Sequence, residues 1–203
     1  MKGKFITFEG SEGCGKSTQS RLLCEYLKKK GRSVLYLREP GGTMISEKIR
    51  EILLSPKSQM NPACETLLYM AARAQIVTEL IKPALFKGKI VICDRFLDST
   101  IAYQGYGLGV DIDFIKGVGW FASEGIQPGL TIFLDLPVKN GLKHRATSKD
   151  RIEKRSLVYH EKVRNGYLKL ARQETGRIKI VRVDDNIEVT QANIRALIDR
   201  YVI

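Results

Sequence analysis

The chain has only two histidines, His144 and His160, and its four cysteines, Cys14, Cys24, Cys64 and Cys93, include no C-x-x-C pair. Those absences remove zinc-ribbon and thioredoxin-like readings and leave no ligand spacing for a histidine-bound metal. A disulfide scaffold is equally unsupported, so the cysteines read as reduced thiols. Cys14 stands apart because a helix N-terminus lowers a thiol pKa, which makes it a candidate reactive group. No apolar run approaches the roughly 20 residues that a bilayer span needs. The opening "MKGKFITFEG" passes from two lysines into a short strand-like run without a small-residue cleavage site, unlike a secretory signal. Internal repeats, low-complexity tracts and domain-length linkers are also missing. The expectation is one cytoplasmic domain over residues 1–203, with no membrane partner.

Positive charge is present in excess, at +12. Its distribution matters more than its size. Residues 143–182 hold thirteen Lys or Arg against four acids, which accounts for nine of the twelve excess charges. Most of these lysines read as solvated helix faces, and nucleic acid is not expected as a partner. The cluster "KHRATSKDR" differs, because it lies between two helical patterns and is suited to closing over a polyphosphate. It defines an expected lid at about 143–153.

Five nearly continuous apolar runs, at 4–9, 33–37, 89–94, 130–135 and 178–183, read as strands covered on both faces. Helical patterns fall between and after them at 16–31, 63–85, 113–125, 156–174 and 186–202. Strands alternating with helices predict an α/β fold, a five-stranded parallel sheet in three layers. Trp120 and Phe121 are read as packing residues, and His144 and His160 as solvated helix residues.

Gly10, Gly15, Lys16 and Ser17 complete G-x-x-x-x-G-K-[ST] between a strand and a helix, the context a phosphate loop requires. Such a loop turns its backbone N–H groups onto phosphate oxygens at a helix N-terminus. The ATP-binding candidates are therefore Gly10, Ser11, Glu12, Gly13, Cys14, Gly15, Lys16, Ser17 and Thr18. Lys16 would reach the β- and γ-phosphates, and the Ser17 hydroxyl would ligate Mg²⁺. Asp94 ends the third strand, where a carboxylate holds Mg²⁺ and balances its charge. Arg38 and Arg95 also end strands at the carboxyl edge, where open α/β sheets bind ligands. Two guanidinium forks there predict a second phosphate-bearing ligand, which an enzyme that only hydrolysed ATP would not need.

Together with the phosphate loop, "REPGGT" (38–43), "LLYMAAR" (67–73), "DRFLDSTIAYQG" (94–105) and "DRIE" (150–153) resemble the thymidylate kinases over nearly the whole chain. The resemblance implies a P-loop nucleoside monophosphate kinase fold, usually a homodimer, that converts dTMP to dTDP with ATP and Mg²⁺. It places Arg38 and Arg95 on the dTMP phosphate, with Arg95 also following the transfer. Glu9 is placed near the acceptor sugar and metal, and Tyr69 and Arg73 on the thymine. Ser99, Thr100 and Gln104 surround base and sugar, and Tyr103 crowds the 2′ position. From the helix pattern alone Tyr69 reads as core; the resemblance moves it to the site. The loop has no arginine of the kind found in animal and fungal members, and the resemblance assigns that charge to the lid, to Arg145, Lys149 and Arg151. Phe96 stands where a tyrosine is common. The competing readings are a deoxynucleoside kinase, a GTPase or a nucleic-acid-dependent ATPase. Arg38 argues against the first and the lack of an N-K-x-D motif against the second, while the chain is short for a motor.

Overall fold

The five apolar runs form five strands within one residue of their expected bounds: β1 (Lys4–Glu9), β2 (Val34–Arg38), β3 (Ile90–Asp94), β4 (Leu130–Asp135) and β5 (Ile178–Arg182). All pair in parallel, in the order β2-β3-β1-β4-β5. The structure is a computed structural model and describes residues 2–143 and 151–201. His144, Arg145 and Lys149, with most of the expected lid, lie outside the described residues.

Alternate strand residues supply two cores, which is why the runs are continuously apolar. Ile6, Phe8, Ile92, Ile132 and Leu134 face one layer, where Leu23 and Leu27 of α1 (Lys16–Lys29) meet Ile194 and Ile198 of α9 (Ile187–Tyr201). Phe5, Val91, Cys93 and Phe133 face the other layer. That layer holds α3 (Pro62–Ile76), α6 (Ile112–Ala122) and α8 (Leu157–Gln173). The expected helix at 63–85 is one continuous run of α3, a π-helical stretch at Val77–Ile81 and α4 (Lys82–Phe86). Pro83, which has no amide to donate, follows the widened turn.

Three helices were not expected. In α2 (Met44–Leu54) only Ser46 and Leu53 are buried, and Thr43 caps it by accepting from the Ser46 N–H at 3.1 Å. The segment α5 (Leu97–Thr100) continues into a second π-helical stretch, Ile101–Gly107. The third, α7 (Val138–Lys143), is short.

Two surface assignments are corrected. Trp120 and Phe121 do not pack: they are 57% and 82% exposed, because α6 turns Ile115, Gly119 and Ala122 inward instead. His160 is not solvated. It is buried beside Tyr159, with ring centroids 5.3 Å apart, and burial pushes its pKa down.

Four arginines of the basic stretch pair with acids elsewhere in the chain. Arg151 and Arg155 pair with Glu65, Arg164 with Asp135, and Arg177 with Asp98. The last pair is forked, at 2.6 and 2.9 Å, and Arg177 also donates to Thr131, whose hydroxyl meets that of Thr7 at 2.8 Å. This buried polar cluster ties β1, β4, α5 and the start of β5 together.

The phosphate loop and α7 meet backbone to backbone. A Cβ on Gly13 would fall 1.9 Å from the Gly141 carbonyl oxygen, and one on Gly141 would fall 2.2 Å from that of Glu12. Gly13 also has φ +71°, which other residues rarely adopt. Gly141→Ala, in a helix that itself favours alanine, is therefore expected to destabilise the protein by about 1–3 kcal/mol through overpacking. A lowered melting temperature would register it.

Candidate active site

Strand register sets the site. Phe8 of β1 and Arg38 of β2 both lie level with Asp94 of β3, so Glu9, Arg38, Asp94 and Arg95 emerge together at the carboxyl edge. The glycine-rich loop follows β1 and returns as α1. Lys16 Nζ curls back inside it, donating to the Ser11 carbonyl at 2.7 Å and lying 3.6 Å from Cys14 Sγ. The Cys14 side chain is buried beneath the loop. Ser11 Oγ is buried with no hydrogen-bond partner among the described residues. The Ser17 hydroxyl donates to Asp94 Oδ2, which joins the two expected metal-binding groups across 77 residues of sequence.

Arg95 is the most heavily engaged side chain at the edge. Nη1 donates to the Gly10 carbonyl at 3.1 Å, to Ser99 Oγ at 3.1 Å and to Tyr167 Oη at 3.3 Å. Nη2 donates to Glu12 Oε1 at 2.7 Å and to Tyr103 Oη at 2.9 Å. Burial alone would favour the neutral form, but Tyr103 and Glu12 outweigh it and hold the guanidinium charged. Its backbone takes φ +74°, a conformation that costs free energy in a non-glycine residue and is held by the amide bond to Phe8 O at 2.9 Å. That turn sends the side chain toward the phosphate loop. Arg38 is half exposed and its Nη2 lies 3.1–3.2 Å from both carboxylate oxygens of Glu47.

Glu9 is fully buried. Its carboxyl accepts from the Phe96 N–H at 2.7 Å, Ser99 Oγ at 2.5 Å and Tyr167 Oη at 2.9 Å. Desolvation, and then the nearby charge of Asp98, push its pKa up to about 7, against the opposing effects of Ser99, Arg95 and the Phe96 amide. Burial likewise raises the Tyr103 and Tyr167 hydroxyls well above the ordinary phenol range, so both stay protonated donors.

On the other side of Arg95, Tyr69 and Arg73 share a face of α3. Arg73 Nε and Nη2 both lie 2.9 Å from Glu39 Oε2, Nη2 donates to Thr100 Oγ1 at 3.0 Å, and the group sits 5.0 Å from the Phe96 ring centroid. Phe96 is buried in the core, edge-on to Phe5 at 4.9 Å. Gln104 Nε2 donates to Glu65 Oε1 at 2.8 Å.

A cleft of about 400 Å³ joins these groups. It is lined at one end by Glu12, Gly13, Gly15, Lys16, Ser17 and Thr18, and at the other by Tyr69, Arg73, Ser99, Thr100, Tyr103 and Gln104, with Arg38, Asp94 and Arg95 also in its wall. Gly10, Ser11, Cys14 and Glu9 stand behind this surface. Arg151 is engaged with Leu53 O, Met60 Sδ and Glu65, none of them in the phosphate loop. Sequence reading missed Glu39, Glu65, Tyr167 and Arg155, which hold the expected residues in place, and Tyr36, Arg21 and Arg50, which line the cleft. Only Glu39 lay inside a motif, and nothing local marked the others.

A sequence model of the family described as thymidylate kinase matches residues 8–194. The thymidylate kinase of Geotalea daltonii is 52% identical over 199 residues, 93% of each chain. That of Thermoanaerobacter sp. (strain X514) is 49% identical over 174 residues, 85% of this chain and 86% of the other. The crystal structure of thymidylate kinase from Ehrlichia chaffeensis superposes with a TM-score of 0.81 at 32% identity, covering 97% of this chain and 98% of that one.

The raised pKa of Glu9 has a definite sign. An acid whose folded pKa lies above its unfolded value stabilises the fold at low pH and loses that contribution as pH rises through the folded pKa. From 4.5 unfolded to about 7 folded, the window is pH 4.5–7. Without ligands, the melting temperature of Glu9→Gln minus that of the wild type is expected to grow from pH 5 to pH 8, by the equivalent of up to about 3 kcal/mol. A flat difference in pH-resolved thermal melts would contradict the burial argument.

Proposed function

The chain belongs to the thymidylate kinase family, and from that premise we propose that it transfers the ATP γ-phosphoryl group to the 5′-phosphate of dTMP, giving dTDP and ADP. The observation that carries the reading is Arg95, which touches the phosphate loop through Gly10 and Glu12 and the acceptor wall through Ser99 and Tyr103. A guanidinium so placed serves both reacting phosphates.

ATP lies along residues 10–18, its phosphates on the loop amides and Lys16 Nζ, which exchanges the Ser11 carbonyl for phosphate oxygen. The orphaned Ser11 hydroxyl suits a phosphate oxygen as well. Ser17 and Asp94, oxygen donors already in contact, fit a hard cation such as Mg²⁺. Bound there, Mg²⁺ supplies neutralisation of charge on the transferring group. Arg38 and Arg95 hold the dTMP phosphate, Tyr69 stacks on thymine, and Arg73 and Gln104 face the base edge. Thr100, which already accepts from Arg73, borders them. Ser99 and Glu9 line the sugar side, and Tyr103 occupies the space a 2′-hydroxyl would need. The phosphate oxygen of dTMP is already anionic and attacks in line as the bond to the β,γ-bridging oxygen breaks, so no strong general base is required.

The exposed apolar side chains of α6, Phe114, Trp120 and Phe121, with Leu67 of α3, fit burial against a second copy of the chain. A cytoplasmic enzyme fits the reduced cysteines.

The decisive test is an acceptor panel of dTMP, dUMP, UMP, dCMP, dAMP, dGMP and thymidine with ATP and Mg²⁺. dTMP is expected to be the best acceptor and thymidine, which lacks the phosphate, to be unused; a preference for any other base would overturn the reading. Tyr103→Ala is expected to raise use of ribothymidine 5′-phosphate relative to dTMP by about tenfold, whatever it does to absolute rate. An unchanged ratio in kcat/KM would remove the proposed role of Tyr103.

A further inference from the structure

Glu65 is a carboxylate with no exposed surface, in the first turn of α3, four residues before Tyr69 and eight before Arg73. It therefore shares their helix face. Both of its oxygens are engaged. Oε2 accepts from Arg155 Nη2 at 2.6 Å and lies 2.7 Å from Arg151 Nη1, while Oε1 accepts from Gln104 Nε2 at 2.8 Å. Burial would favour the neutral acid, but the Gln104 bond and the two arginines outweigh it and hold its pKa below the ordinary range. An ionised carboxylate only accepts hydrogen bonds, so the amide of Gln104 has one permitted orientation, NH₂ toward Glu65.

We propose that Glu65 is a positioning residue for base selection, which fixes the Gln104 amide so that its carbonyl oxygen is the end offered to the cleft. This rests on the acceptor reading above. A carbonyl there matches the N3–H of thymine, a donor, and opposes the N3 of cytosine, an unprotonated acceptor. Were the amide free to rotate, its NH₂ would serve cytosine equally well. Discrimination then comes from a residue that never touches the base. Burying the unpaired acceptor pair is what disfavours the wrong base. Arg155 steadies the same unit from behind, donating to Tyr159 Oη at 2.7 Å, and that hydroxyl in turn donates to the Tyr103 carbonyl at 3.3 Å.

The test compares kcat/KM for dTMP and dCMP in the wild type and in Glu65→Gln, with circular dichroism melts to establish folding. In the variant a neutral amide faces Gln104 and accepts either orientation. The dTMP:dCMP ratio is expected to fall by about tenfold or more, through the KM values rather than kcat. A wild type that shows no preference for dTMP removes the thymine pocket itself. A wild-type preference that Glu65→Gln leaves intact, or a loss of both acceptors in parallel, overturns the role of Glu65 alone. The exchanged pair Glu65→Gln with Gln104→Glu keeps one carboxylate in the cluster and again offers an acceptor oxygen to the cleft. Its ratio is expected within about threefold of the wild type. Loss of the preference in that folded double variant also overturns the proposal, even if the single variant does not fold.

Discussion

A largely buried guanidinium in the cleft wall, at the carboxyl edge of the sheet, organises the whole site. Arg95 bonds both to the phosphate loop and to the wall containing Ser99 and Tyr103. Burying a charge is costly unless it is paired and fully hydrogen-bonded. The Gly10 carbonyl, the Glu12 carboxylate and three hydroxyls meet that demand. Those groups come from three parts of the fold, so satisfying one cation fixes the loop after β1, the segment after β3 and helix α8 relative to one another.

Behind it, Glu9 is the counterweight. Its carboxyl shares Ser99 and Tyr167 with Arg95, while Asp98, one residue before Ser99, is clamped by Arg177 at the foot of β5. The buried polar groups thus form two linked systems, one facing the cleft and one facing the sheet. The first borders the proposed reaction site. The second sets the electrostatic background in which Glu9 titrates.

The three-layer sheet was legible because each strand is buried on both faces and therefore spells a run rather than an alternation. The loop, Arg38, Asp94 and Arg95 were legible for a related reason: strand ends carry polar residues directly after apolar ones, and parallel register brings those ends together. Helix α2 was not read, although Ile45, Ile49 and Ile52 recur at helical spacing; Met44, Ile45 and Ile52 are exposed and Leu53 is the one apolar side chain of α2 that is fully buried. Trp120 and Phe121 misled, because hydrophobicity alone does not say which helix face turns inward. Glu65, Tyr167 and Arg155 were invisible for want of any local pattern. Their partners lie 39 to 158 residues away in the sequence, and only the fold reveals that a lone acid in "ACETLLYM" meets two arginines and a glutamine.

Both arginines assigned to the acceptor phosphate already hold carboxylates, Glu12 on Arg95 and Glu47 on Arg38. Entry of a nucleotide is therefore an exchange of anions rather than the filling of a bare cationic hole. Small anions of the medium, singly charged and weakly held, have little to offer in that exchange. A dianionic phosphate anchored by its base can displace the resident carboxylates, while Glu12 keeps its bond from Tyr103 and Glu47 its bond from the Gly42 amide. The acceptor end of the cleft thus favours a ligand whose phosphate can replace both carboxylates at once.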